Sequence, residues 1–270
     1  MTETIAFRPP AVAGLFYPAK PEPLRATVRT LLDGVTVPED DGPLAEAYIV
    51  PHAGLRFSGA VAAESYARIA RHAAEVDHVI ILGPSHQYPL RGAAASPAAT
   101  WVTPLGGMTL APTEAVAAQS EPHANEHSLE IQLPFLQSIL PSTATITPVA
   151  VGMSGTDDTA DLIERLVADS PSDRPLVLCS TDLSHYHDID TATSLDQETA
   201  EAILALEPER IPVERACGIF ALRGLLAWAK RTGLAARRLR LGTSADTSGS
   251  PDRVVGYPAF AFERADARNR

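Results

Sequence analysis

The chain has 270 residues, 45% of them hydrophobic and 20% charged, with 33 acidic against 22 basic side chains and a formal net charge of -11. That composition suits a globular protein with a sizeable core, and it argues against nucleic acid as the partner, because phosphate backbones are held largely by Lys and Arg. The chain does not open on a basic segment followed by an apolar run, and no apolar run approaches ~20 residues, so neither export nor a membrane span is indicated and the cytoplasm is expected.

Two cysteines, Cys179 and Cys217, and the lack of any Ser/Gly linker suggest reduced thiols and one domain over residues 1–270. Three prolines around Val12-Ala13-Gly14-Leu15-Phe16-Tyr17 predict an extended N-terminal arm lying on the body of the domain. The spacing of Leu24, Val28, Leu31 and Leu32 predicts a helix over 22–33. Ala47–Val50 reads as a buried strand, followed by a helix capped by Ser58 and running to about His72, then a second strand at 78–82.

Residues 90–112 read as short strands and turns, and 125–140 as a helix that Pro134 should kink or interrupt. A strand at 146–151, a helix at 157–169 and a strand ending near Ser180 follow. Helices at about 193–206 and 217–232, the second closed by Gly233, precede strands at 238–243 and 254–262. The pattern predicts a three-layer α/β sandwich with a central mixed, largely parallel sheet.

Three of the apolar runs end alike, in Pro51-His52-Ala53-Gly54, Gly83-Pro84-Ser85-His86 and Ser180-Thr181-Asp182-Leu183-Ser184-His185. Open α/β sheets bind ligands at the carboxyl ends of their strands, and the right-handed crossover of a βαβ unit puts His52 and His86 at one edge, so three imidazoles should converge on one cleft. Imidazoles in such a cleft serve as metal ligands or as acid/base groups. Asp182, three residues before His185, either orients an imidazole, faces the same cavity or caps the next turn.

Glu126-His127 is placed at the start of the 125–140 helix, where a carboxylate suits the helix dipole and His127 can move a proton or hold an anion. Cys217 in Ala216-Cys217-Gly218 falls near a helix N-terminus, a setting that favours the thiolate and hence a nucleophile or a metal ligand; a buried small hydrophobe is the plainer reading. No glycine-rich phosphate loop, nucleophile-elbow serine, paired CxxC or HExxH motif occurs.

Taken together, Pro51-His52-Ala53-Gly54, Gly83-Pro84-Ser85-His86, Glu126-His127-Ser128-Leu129-Glu130, Thr181-Asp182-Leu183-Ser184-His185 and Ala216-Cys217-Gly218 resemble, in order and spacing, the Memo family. Its prokaryotic members are called AmmeMemoRadiSam system protein B. The opening Arg8–Pro18 segment and the closing Gly256-Tyr257 region resemble it too. The resemblance implies a fold like that of the class III extradiol dioxygenases, which use a non-haem ferrous ion.

Carried over by motif, His52, His86 and Cys217 would bind the metal, with Cys217 in the place of a carboxylate, and His185 would be the acid/base with Asp182 beside it; in the leading reading Asp182 and His127 line the pocket. Thiolate in place of carboxylate shifts the preference towards Cu(I) or Zn and keeps iron possible. The resemblance implies Fe(II) or Cu as the cofactor, in an oxidoreductase acting on an unknown small molecule or peptide. The family also implies association with a radical SAM protein and a third protein of that system. Two alternatives stand beside this: a non-catalytic peptide- or anion-binding scaffold using the same cleft, and hydrolysis through a Cys217 nucleophile.

Overall fold

The structure is a computed structural model, which describes residues 5–248 and 250–264. Its helices are α1 (Pro21–Asp33), α2 (Leu55–Arg71), α3 (Glu121–Ala124), α4 (Leu133–Ile139), α5 (Thr156–Ala168), α6 (Ile189–Leu204), α7 (Ile219–Arg231) and α8 (Ala245–Ser248). Its strands are β1 (Ala47–Val50), β2 (His78–Pro84), β3 (Ala93–Ala95), β4 (Thr100–Thr103), β5 (Gly106–Thr109), β6 (Thr145–Val151), β7 (Leu176–Ser180), β8 (His185–His187), β9 (Leu234–Thr243) and β10 (Val254–Arg264).

Seven strands form a path in the order β3-β6-β2-β7-β1-β10-β8, with β9 added to β10, and β4 and β5 pair separately. The inner four, β6, β2, β7 and β1, are parallel, and the strands outside them pair antiparallel. β1 and β2 are not hydrogen-bonded neighbours as their chain order suggests: β7 is inserted between them and pairs with both.

Alternation along the buried strands makes the layers. Tyr48 and Val50, with Val79 and Ile81, pack into the apolar cluster of α1, α2 and α4, whereas Ala47 and Ile49, with Ile80 and Leu82, pack into that of α5, α6 and α7. Strands covered on both faces read as continuous apolar runs, as these do. The arm is fastened by burial of Val12 and Tyr17 and by a parallel bridge from Arg8 to Trp101.

Three local expectations need correction. Gly54, not Ser58, precedes the first turn of α2; Ser58 lies inside the helix, where its hydroxyl donates back to the Ala53 carbonyl at 2.8 Å. Residues 125–140 are not one helix: α3 ends at Ala124, an irregular stretch follows, and a 3₁₀ turn at Glu130–Gln132 leads into α4. Pro134 does not interrupt α4 but sits in its first turn, where a missing N–H costs nothing.

Candidate metal centre

Three adjacent strands, β2, β7 and β1, deliver the first donors, because parallel strands end on one side of a sheet. His52 lies two residues past β1, His86 two past β2, and the Thr181–Ser184 turn follows β7. That turn is strung between strands, with Thr181 N donating to Val50 O and Leu183 N to Gly256 O.

The irregular stretch before the 3₁₀ turn brings His127 in from outside the sheet. The ligand nitrogens of His52, His86 and His127 lie within 4.8 Å of one another, with burial graded from His52 inward to an exposed His86. The rings of His86 and His127 stack at 4.6 Å, and His52 stands edge-on to both, at 5.2 and 5.3 Å. Phe16 of the arm covers His127, with ring centroids 4.5 Å apart.

Cys217 joins this group through His52 alone, its sulfur 3.1 Å from His52 Nε2. The sulfur also accepts from Asp182 N at 3.2 Å. α7 begins at Ile219, with Gly218 before it, so Cys217 precedes the helical turn rather than occupying it. Burial pushes its thiol pKa up, and the Asp182 carboxylate adds to the effect, opposite to the thiolate-favouring setting the sequence suggests. Cys179, by contrast, is a fully buried core residue on β7.

Asp182 does not orient the His185 ring. Its carboxylate accepts from His52 N at 2.8 Å, so it fixes the His52 turn, and burial raises its pKa to about 7. His185 Nδ1 faces the Leu183 carbonyl at 2.7 Å, and burial lowers the ring's pKa. Beside it Tyr186 has φ +65°, an unusual region for a bulky side chain, and an exposed ring lying 5.1 Å beneath the Arg253 guanidinium.

Glu126 is not at a helix start but fully buried within the irregular stretch. Its Oε1 accepts from His86 Nδ1, His127 N and Ser128 N, each at 2.9 Å, and lies 3.2 Å from His127 Nδ1. Its Oε2 accepts from His86 N. Burial alone would raise its pKa, but the His86 contacts and backbone donors outweigh it and hold the carboxyl at about 2. Burial depresses the imidazoles as well, His52 well below its ordinary value, with the charges of His86 and His127 adding to it, and His127 to about 4.

Two contributors escape the motif reading. Ser180 Oγ lies 2.9 Å from His52 Nδ1, and Gln132 Nε2 reaches both Ser180 Oγ at 2.9 Å and Pro51 O at 3.0 Å. A signal for each exists in the sequence: Ser180 is a hydroxyl closing an apolar strand, and Gln132 a polar residue amid apolar ones. Buried polar groups of this kind need partners.

The fold and its edge of histidines define an α/β sandwich with a cluster that could hold a metal ion. A family model described as Memo-like protein matches residues 8–261, and the chain belongs to that family. A MEMO1 family protein of Methanopyrus kandleri is 35% identical, covering 95% of this chain and 99% of its own length. Another, from Desulfurococcus amylolyticus, is 32% identical over 94% of this chain and 98% of its own. Among solved structures, that of an uncharacterized protein from Escherichia coli K12 aligns with a TM-score of 0.45 and 11% identity, covering 78% of this chain and 98% of that one.

Proposed function

We propose that the protein is a metal-dependent oxidoreductase whose ion, Fe(II) or Cu, is held by His52, His86 and Cys217. The observation carrying this is that the His52 and His86 ligand nitrogens lie within 4.8 Å of each other, in a group that also holds His127, with the soft Cys217 sulfur 3.1 Å from His52 Nε2. Such mixed nitrogen and sulfur donors suit borderline and soft transition metals. A redox-active ion bound there would supply electron transfer to or from a small molecule or peptide.

The residues around it have separable tasks. Asp182 holds the His52 turn through the backbone. His185, with its Nδ1 engaged by a carbonyl, has Nε2 left to accept a proton from a substrate. Phe16 shields His127 on the arm side, and Tyr186, with Arg253 over its ring, lies beside His185. Cys217 loses its proton when a metal arrives, since thiolates and not thiols ligate.

A second ligand set is favoured by the distances themselves: His127 in the third position and Cys217 as a hydrogen-bonding neighbour of His52. Metal content of protein purified anaerobically separates the sets. His52→Ala and His86→Ala are expected to lose the ion. Cys217→Ser loses it under the first set and His127→Ala under the second. Undiminished metal in the His52→Ala/His86→Ala double variant would remove both. A scaffold that only binds an acidic peptide would keep its binding after those substitutions.

A further inference from the structure

The hydrogen bonds around His52 leave one way to place their protons. Ser180 Oγ lies 2.7 Å from Ser128 O, which only accepts, so the hydroxyl proton is spent there. The Gln132 amide is oriented without ambiguity, because its nitrogen faces the carbonyls of Pro51 and Ser128 while its oxygen accepts from Tyr66 Oη at 2.7 Å. Gln132 therefore donates to Ser180, taking one of the two Oγ lone pairs. The second is left for His52 Nδ1, which must carry its hydrogen.

The same accounting holds across the cleft. The Glu126 carboxylate only accepts, so His86 Nδ1, at 2.9 Å, is a donor. In each ring, when neutral, Nε2 then carries a lone pair and not a hydrogen. With that tautomer the Cys217 thiol, 3.1 Å away, can donate to His52 Nε2.

We propose that Ser180, with Gln132 behind it, and Glu126 are positioning residues that lock His52 and His86 as Nδ1–H tautomers, so that both Nε2 atoms are presented to the ion before it binds. This rests on the metal-centre reading for its purpose but not for its measurement. Packing agrees with a rigid origin, because Gly83 at the end of β2 has Ser128 Oγ 3.1 Å and Ser180 Cβ 3.3 Å from where a Cβ would stand. The ends of β2 and β7 and the Ser128 stretch are thus in close contact.

The test begins on metal-free wild-type protein at pH 8, using long-range proton–nitrogen correlation spectra of the imidazoles, assigned with His52→Gln and His86→Gln variants. Both rings are expected to show the Nδ1–H pattern. An Nε2–H pattern, or a mixture, at either ring overturns the proposal whether or not the protein binds metal.

Ser180→Ala should leave His52 a mixture of tautomers with His86 unchanged, and weaken Co²⁺ binding by about 10- to 100-fold. Ser180→Thr, which keeps a hydroxyl, should restore both. An unchanged His52 tautomer in folded Ser180→Ala overturns the role of Ser180. Nδ1–H tautomers in a wild-type protein that takes up no Co²⁺ would keep the locked tautomers and sink the metal-centre reading.

Discussion

Arg8 shows how much one side chain can organise. Its guanidinium donates through Nη1 to Glu130 Oε2, through Nε to His123 O at 2.7 Å and through Nη2 to Glu126 O at 2.8 Å, and it lies over the Trp101 ring at 4.2 Å. Glu130 also accepts from Ala11 N, Val12 N and Tyr17 Oη, so one buried carboxylate clamps the arm that carries Phe16. Removing one partner of a buried pair leaves the other charge uncompensated. Arg8→Ala is therefore expected to cost about 3–5 kcal/mol in urea unfolding. An effect below about 1 kcal/mol would mean that the pair is solvated in the native state. The sequence shows Arg8 and Glu130 only as members of two motifs 122 residues apart, and nothing local pairs them.

At the scale of elements, the start of α7 decides where Cys217 stands. A Cβ on Gly218 would come within 2.8 Å of Ser180 O and of Thr181 Cβ, and 2.9 Å of Thr181 Oγ1, which accepts from Gly218 N. The backbone of Ser180 cannot yield without moving the end of β7. Gly218→Ala is thus expected to destabilise the fold by about 1–3 kcal/mol and to shift the Cys217 sulfur away from His52. Thermal melts and the rate of Cys217 labelling by a thiol reagent check this, and an unchanged melt with unchanged labelling would refute it.

Most elements were legible from period and punctuation, including α1, β1, β2, β6, α5 and β7. The 125–140 stretch was not, because its apolar spacing is helical while its backbone is diverted. Glu126 turns its carboxylate back onto the N–H groups of His127 and Ser128 and across to that of His86 just past the end of β2, which ties the stretch to the sheet edge instead of a helix.

At the scale of the molecule, two histidines outside the centre set a response to acid. Burial holds His78 and His123 neutral, each with its pKa lowered to about 4 from 6.5. Between those values the unfolded chain binds more protons than the native one, so their contribution is complete above pH 6.5 and is lost as pH falls towards 4. Each is worth about 3 kcal/mol at most. Asp182, raised to about 7, acts in the opposite sense, and the difference between variants is therefore the useful readout. His78→Gln is expected to lose less stability than wild type between pH 7 and 5, measured by Tm; a parallel loss would count against it.

The sequence by itself determined the layered α/β architecture, through its apolar runs and their turns, and the edge to which His52, His86 and the Asp182–His185 turn are brought, since parallel strands end together. It also carried the family's motifs almost from end to end. Only the tertiary structure decided that β7 lies between β1 and β2, that His127 joins the two strand-terminal imidazoles, that Asp182 serves the His52 backbone, and that Glu126, Ser180 and Gln132 assign the ring protons. Strand order and hydrogen-bond direction depend on groups far apart in the chain. Local pattern names the donors, but their partners are set by packing.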